Sequence, residues 1–190
     1  MSNPNDIGLE LVANSVSFGQ VSIALLREFY KRGLFPNVFP IQGTVDLSAQ
    51  KHDEGFNQWL GQCIAKAQKD YSRKNTSVRL WHIAGSMPSL SKTDGRLITF
   101  YECNDPQPAE LNILRQQDKV YVTNHYTQST FRNFGVETEY LPLGFDSHNF
   151  SVLEKRPGVE GALTTILLAK LEHRKHSLRQ LALWAKKYGN

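Results

Sequence analysis

The sequence predicts an α/β fold built on a doubly wound parallel sheet. Short apolar runs of strand type alternate with stretches of helical period along the first 150 residues, and each strand run stops at a small or polar loop. The same strand-then-helix pattern begins again after residue 162. In folds of this kind, ligands sit beyond the carboxyl ends of the strands.

Taken in order, Ile7, Leu9 and Leu11 alternate as a strand does, and Val12 and Ala13 lead into a small-residue turn over residues 14–20. Val21, Leu25 and Phe29 then recur at helical spacing, and Gly33 follows Lys31 and Arg32 where a helix is capped. An apolar run over residues 38–41 reads as a second strand, which Pro36 and Pro40 confine to an edge or an irregular segment. Phe56, Leu60, Ile64, Ala67 and Tyr71 mark one face of a surface helix over residues 54–74. Strands follow over residues 78–83 and 96–101, then a helix over 108–117 with Leu111 and Leu114 inward. A strand over 119–123, a helix over 127–134 ended by Gly135, and a last strand through 139–141 complete the series.

The stretch Leu141-Pro-Leu-Gly-Phe-Asp-Ser-His-Asn-Phe150 divides the chain. Pro142 and Gly144 turn it, Asp146 and Ser147 supply turn-type side chains, and Phe150 offers an apolar anchor. Residues 1–150 therefore form one Rossmann-like domain. Residues 151–162, with Pro157, Gly158 and Gly161, read as a linker, and residues 163–190 as the first βα unit of a second, truncated Rossmann-like domain. In that unit residues 163–169 form a buried-type strand, and Ser177 caps a helix with Leu178, Leu181, Ala185 and Tyr188 on one face. A lone βα unit lacks strand neighbours and cover, so residues 151–190 are expected to be the least stable part of the chain.

Composition narrows the class. In 190 residues, 40% hydrophobic content suffices for a core. No apolar run approaches the roughly 20 residues of a membrane span. Residues 1–6 have no basic lead into an apolar stretch, so a cytoplasmic protein is expected. Cys63 and Cys103 have neither the paired spacing of a zinc site nor the density of a disulfide scaffold, and no metal or cofactor is implied. The net charge is +4, and beyond residue 150 Lys155, Arg156, Lys170, Arg174, Lys175, Arg179, Lys186 and Lys187 outweigh Glu154, Glu160 and Glu172. That basic tail suits a phosphate site or an anionic membrane surface. Nucleic acid is not expected, because no basic run interleaved with aromatics, zinc finger or RNA-recognition signature is present.

Three places can carry chemistry. The first turn holds Gly19 without a Gly-x-Gly-x-x-Gly fingerprint. A glycine before a helix lets backbone N–H groups approach an anion, although it serves a simple tight turn equally well. His82 ends a strand where a side chain can face the ligand crevice, and Glu102 holds the equivalent place on the next strand. Trp81 points to the opposite face, into the core. Lys170, Arg174 and Lys175 lie between a buried strand and a helix start, where cations beside backbone donors suit a diphosphate.

In order, these segments are Ser17-Phe-Gly-Gln20, Trp81-His82, Thr99-Phe-Tyr-Glu102, Val120-Tyr-Val-Thr123, Leu141-Pro-Leu-Gly-Phe-Asp146 with Phe150, and Ala169-Lys-Leu-Glu-His-Arg-Lys175. Together they resemble the nucleotide-sugar glycosyltransferases of GT-B architecture, in particular the retaining group called glycosyltransferase family four. The last two segments are the most specific. They resemble the family's PxGxDxxxF exit from the acceptor domain and its G-[RK]…[RK]-K-G donor-phosphate turn. The resemblance implies that Gly19, Lys170, Arg174 and Lys175 hold the donor diphosphate, that His82 is catalytic in the reaction pocket, and that Glu102 lines the acceptor pocket. It also implies that the acceptor hydroxyl attacks from the leaving-group side with the leaving phosphate as base, so no protein nucleophile is needed. Ala169 and His176 stand where the family has glycines, which alters close backbone approach to phosphate. The family's second domain runs on the order of 150 residues further and carries a paired-glutamate motif, so this chain alone is expected to be inactive.

The expected partners are a nucleotide-sugar donor and an unidentified hydroxyl acceptor, whether glycan, lipid or small molecule. Peripheral membrane contact and self-association through the incomplete second domain stay open. The alternatives are a non-catalytic acceptor-binding module completed by another chain, and a nucleotide-binding Rossmann protein without sugar chemistry. The missing Gly-x-Gly-x-x-Gly disfavours the latter.

Overall fold

The computed structural model describes residues 3–87, 91–151 and 175–189. The chain divides into two compact units, Met1–Ser151 and Val152–Asn190. The first is an α/β domain on a six-stranded, all-parallel sheet. After a short turn at Pro4–Asp6 come β1 (Gly8–Ala13), α1 (Ser17–Lys31), β2 (Asn37–Val45), α2 (Glu54–Asp70), β3 (Ser77–Leu80) and β4 (Gly95–Thr99). They are followed by α3 (Pro108–Arg115), β5 (Lys119–Val122), α4 (His125–Asn133) and β6 (Glu139–Tyr140). The spatial order is β2-β1-β3-β4-β5-β6, so the direction of winding reverses between β1 and β3.

Both faces of this sheet carry helices, as a doubly wound fold requires. Leu80 pairs with Ile98, while Arg79 pairs with Leu97 and Leu97 with Val120. Neighbouring residues on a strand point to opposite faces. Leu80 and Ile98 pack in a cluster with Phe18, Ile23 and Leu26 of α1 and Phe56, Trp59 and Leu60 of α2. On the other face Leu97, Val120 and Val122 pack with Leu111 and Leu114 of α3 and Phe131 of α4.

Local chemistry explains most boundaries. Gly33 takes φ +65° just after α1, the left-handed conformation that a glycine closing a helix adopts. Asp53 accepts from the Phe56 N–H and Asn124 from the Thr127 N–H, starting α2 and α4. At α3, Pro108 sits in the first turn and Gln107 and Glu110 form a capping box. The two prolines of the second strand have their expected consequence, since β2 is an edge strand, and between Leu11 and Ala13 its register on β1 shifts. Gln42 and Gly43, both at positive φ, absorb the extra residues.

Several elements are shorter than the sequence predicts: β3 ends at Leu80 instead of residue 83 and β4 at Thr99 instead of residue 101, where the polar and small residues of the following loops take the chain out of the sheet. α2 stops at Asp70, and Tyr71, instead of continuing its apolar face, crosses over Gly8 and stacks edge-on against Phe39 at 5.0 Å. The first turn is also tighter than the sequence indicates, because α1 begins at Ser17 and takes Gly19 into its first turn.

In the second unit, α5 (Ser177–Tyr188) spans the helix that the sequence predicts. Its cap differs: His176 precedes it at φ 51° with no side-chain capping bond, and Ser177 is the first helical residue and is buried. The strand expected over residues 163–169 and the linker over 152–162 lie outside the described residues. Among the described residues no helix is long and apolar enough to cross a membrane.

Candidate functional site at the strand carboxyl ends

The winding reverses between β1 and β3, and the carboxyl ends of strands at such a reversal are the place where doubly wound folds take ligands. β1 leads through Asn14 to Val16 into α1, and Asn14 Oδ1 accepts a 3.1 Å hydrogen bond from the Val16 N–H. Val16 offers no capping side chain, and the first turn of α1 carries no acid. The positive end of this 15-residue helix is thus not neutralised by its own sequence. Gly19 is buried there, and a Cβ would run into the backbone and side chain of Asn14. Glycine at this position lets the helix start close against the loop that precedes it.

His82 lies two residues past the end of β3 and is exposed. Its ring rests on Phe18 of α1 at 4.5 Å and on Trp81 at 4.9 Å. Its carbonyl accepts a bond from the Ser86 hydroxyl, and Ile83, buried next to it, anchors the loop. Trp81 is half-buried against the α1 cluster and meets the same Phe18 ring at 5.4 Å, so it does not turn to the face opposite His82; β3 ends at Leu80, and strand alternation no longer applies to either residue. Glu102 is exposed three residues past the end of β4, the strand beside β3. Between β4 and Glu102, Phe100 stacks on Phe18 at 4.4 Å and 23°. Tyr101 turns away: its hydroxyl donates to Glu110 at 3.1 Å and its carbonyl accepts from Thr127. Burial, with the Glu110 carboxylate beside it, pushes the Tyr101 phenol well above its ordinary range, so it stays protonated. Gly19, His82 and Glu102 therefore all stand at the carboxyl edge, on β1–α1, β3 and β4 respectively.

Of the basic cluster, Lys175 is exposed immediately before His176 and α5, and its carbonyl accepts from the Gln180 side chain. Lys170 and Arg174 lie outside the described residues.

The structure adds a polar network that no local pattern signals. Gln20 Oε1 accepts from Gln50 at 2.7 Å and from Asn149 at 3.4 Å, and Asn149 Oδ1 accepts from the Lys51 N–H at 3.1 Å. This ties α1, the loop after β2 and the exit segment together across about a hundred residues of sequence. Within the exit, Asp146 Oδ1 accepts from the N–H groups of His148 and Asn149, the turn role its sequence suggests. Phe150 is not an anchor in the core: it is 54% exposed, with its ring 6.4 Å from Phe145.

Beside this network a groove of about 570 Å³ runs between α1 and the exit segment, floored by Leu80, Ile98 and Thr123. Comparison with protein families, curated proteins and solved structures returns no match for this chain.

Proposed function

We propose that this chain is the acceptor-side domain, with the opening unit of the donor-side domain, of an enzyme that transfers a sugar from a nucleoside diphosphate to a hydroxyl acceptor. One observation carries the reading. The uncapped start of α1 and the exposed His82 flank the same winding reversal, with Glu102 on the next strand. Such a crevice suits a ligand with an anionic end and several hydroxyls.

In this reading the bond between the anomeric carbon and the diphosphate oxygen breaks, and its electron pair leaves with the diphosphate. The acceptor oxygen bonds to the anomeric carbon, and its proton passes to the departing phosphate. Negative charge grows on the leaving group, which fixed cations and helix N-termini stabilise, and the sequence assigns that role to Lys170, Arg174 and Lys175. His82 bonds a hydroxyl beside the reacting carbon, and Glu102 orients the acceptor.

The test uses the complete two-domain enzyme that this reading requires. Calorimetry is expected to show nucleoside-diphosphate binding weakened by roughly 1.5–3 kcal/mol in Lys175→Ala, the range for a charge-assisted hydrogen bond. His82→Ala is expected to lower kcat by more than its loss of fold stability explains. Unchanged affinity in the first variant together with unchanged turnover in the second would overturn the proposal.

A further inference from the structure

We infer that the groove between α1 and the exit segment holds an aliphatic chain, and that the acceptor of the proposed transfer is therefore a single-chain amphiphile whose hydroxyl head lies in the crevice. The acceptor assignment rests on the transferase reading; the chain-binding site stands on its own geometry. α1 contributes one strip to the groove, from Gln20 through Ala24 and Leu25 to Lys31. At 1.5 Å per residue this strip is about 16 Å long. The facing wall is Leu141, Leu143, Phe145 and Phe150, and the floor is Leu80 and Ile98, with Thr123 at one end. A volume of about 570 Å³ lies within the usual range for small-molecule sites.

The distribution of polarity selects the occupant. Gln20, Thr123 and Asp146 lie towards the carboxyl edge of the sheet, Glu28 and Lys31 lie towards the other end of α1, and the walls between are hydrocarbon. A glycan laid along those walls would lose its water without gaining hydrogen bonds, whereas an alkyl chain loses nothing by burial there. Wall residues are conspicuously open: Leu143 is 54% and Phe145 79% exposed. The floor residues lie at the carboxyl ends of their strands. Leu80 ends β3 two residues before His82, and Ile98 lies on β4 four residues before Glu102. A chain lying in the groove with its polar end at the carboxyl edge would have its head on the edge of the sheet where these two exposed polar side chains stand. At that same end Asp146 Oδ2 is buried without a hydrogen-bond partner, an acceptor suited to a hydroxyl donor.

The experiment titrates residues 1–190 with hexyl, octyl and decyl glucoside below their micelle concentrations, with methyl glucoside as the head-group control. Binding of one alkyl glucoside per chain is expected, tightening with length by up to roughly fourfold per added methylene. Methyl glucoside is expected not to bind. Leu143→Asp, an exposed position where a charge leaves the core intact, should weaken decyl glucoside by at least about tenfold. Ala24→Phe, which fills the groove from α1, should do the same. Affinity independent of chain length, binding undiminished in both variants, or no binding by a folded chain would each overturn the site. So would a dimer in solution that Leu143→Asp dissociates, since the groove would then belong to a second copy. Nucleoside-diphosphate binding to the two-domain enzyme is measured separately. If it is present without alkyl binding, the transferase reading stands and this inference falls; if alkyl chains bind and nucleotide does not, the acceptor assignment falls and the chain-binding site stands.

Discussion

At the scale of single residues, Gly19 shows how closely the start of α1 is held. An added methyl group would overlap the backbone of Asn14, which cannot swing aside as a side-chain tip can. Gly19→Ala is expected to destabilise the fold by about 1–3 kcal/mol, the usual cost of overpacking, as read by urea denaturation. Two titrating groups make opposite predictions about pH. Burial pushes the Cys63 thiol from 9.0 up to about 11. Above pH 9 the unfolded chain releases this proton before the folded one does, so stability falls as pH rises through that window. Cys63→Ala should flatten this alkaline loss in denaturation curves collected across it. Asp94 is shifted the other way: Arg96 donates to both of its oxygens at 2.8 Å and Thr76 adds a third bond, holding the carboxyl below its ordinary 3.8. Its contribution is complete above 3.8 and is lost as pH falls through the depressed value, and Asp94→Asn should remove that part of the acid sensitivity.

At the scale of elements, helix starts separate a cap from a cap that also serves the core. Asn124 does one thing for α4, accepting from the Thr127 N–H at 2.7 Å. Asn124→Ala should therefore cost about 1 kcal/mol, the typical value for a lost N-cap. Asp53 caps α2 and also faces Arg27 at 3.6 Å, and Arg27 is 3% exposed with its guanidinium 4.5 Å over the ring of Phe56. Removing that carboxylate leaves a buried cation short of its counter-charge. Asp53→Ala is expected to destabilise more than Asn124→Ala in thermal unfolding, and Asp53→Asn, which keeps the cap and drops the charge, should lose less than Asp53→Ala. Equal losses in Asp53→Ala and Asn124→Ala, with none in Asp53→Asn, would mean that the Arg27 pair contributes nothing.

At the scale of the first unit, its two clusters share one sheet but are separated by it. Ile23 lies in the α1–α2 cluster and Val120 in the α3–α4 cluster. Substitutions without common partners usually add to within about 0.5 kcal/mol. Ile23→Val combined with Val120→Ala should lose the sum of the two single losses in urea denaturation, with a single transition seen by fluorescence and circular dichroism. Separate transitions would show that the two faces unfold independently.

The sequence by itself determined the class of fold and the order of strands and helices along the chain of the first unit. Strand alternation at Ile7, Leu9 and Leu11, helical spacing at Val21, Leu25 and Phe29, and Gly33 beyond the helix are local signals, because backbone sterics and a half-buried face act over a few residues. That His82 and Glu102 fall at the carboxyl edge was legible for the same reason, although the strands stop at Leu80 and Thr99, before either residue. Strand order was not, since nothing in a strand's own residues names its neighbour, and the winding reversal between β1 and β3 exists only once the sheet is assembled. The redirection of Tyr71 onto Gly8 escaped the helical period because the vacancy over a glycine is a property of another strand. The Gln20–Gln50–Asn149 network and the apolar groove beside it are also tertiary. Their residues are brought together from α1, the loop after β2, and the exit segment some 130 positions away, and only close packing decides which of those side chains meet.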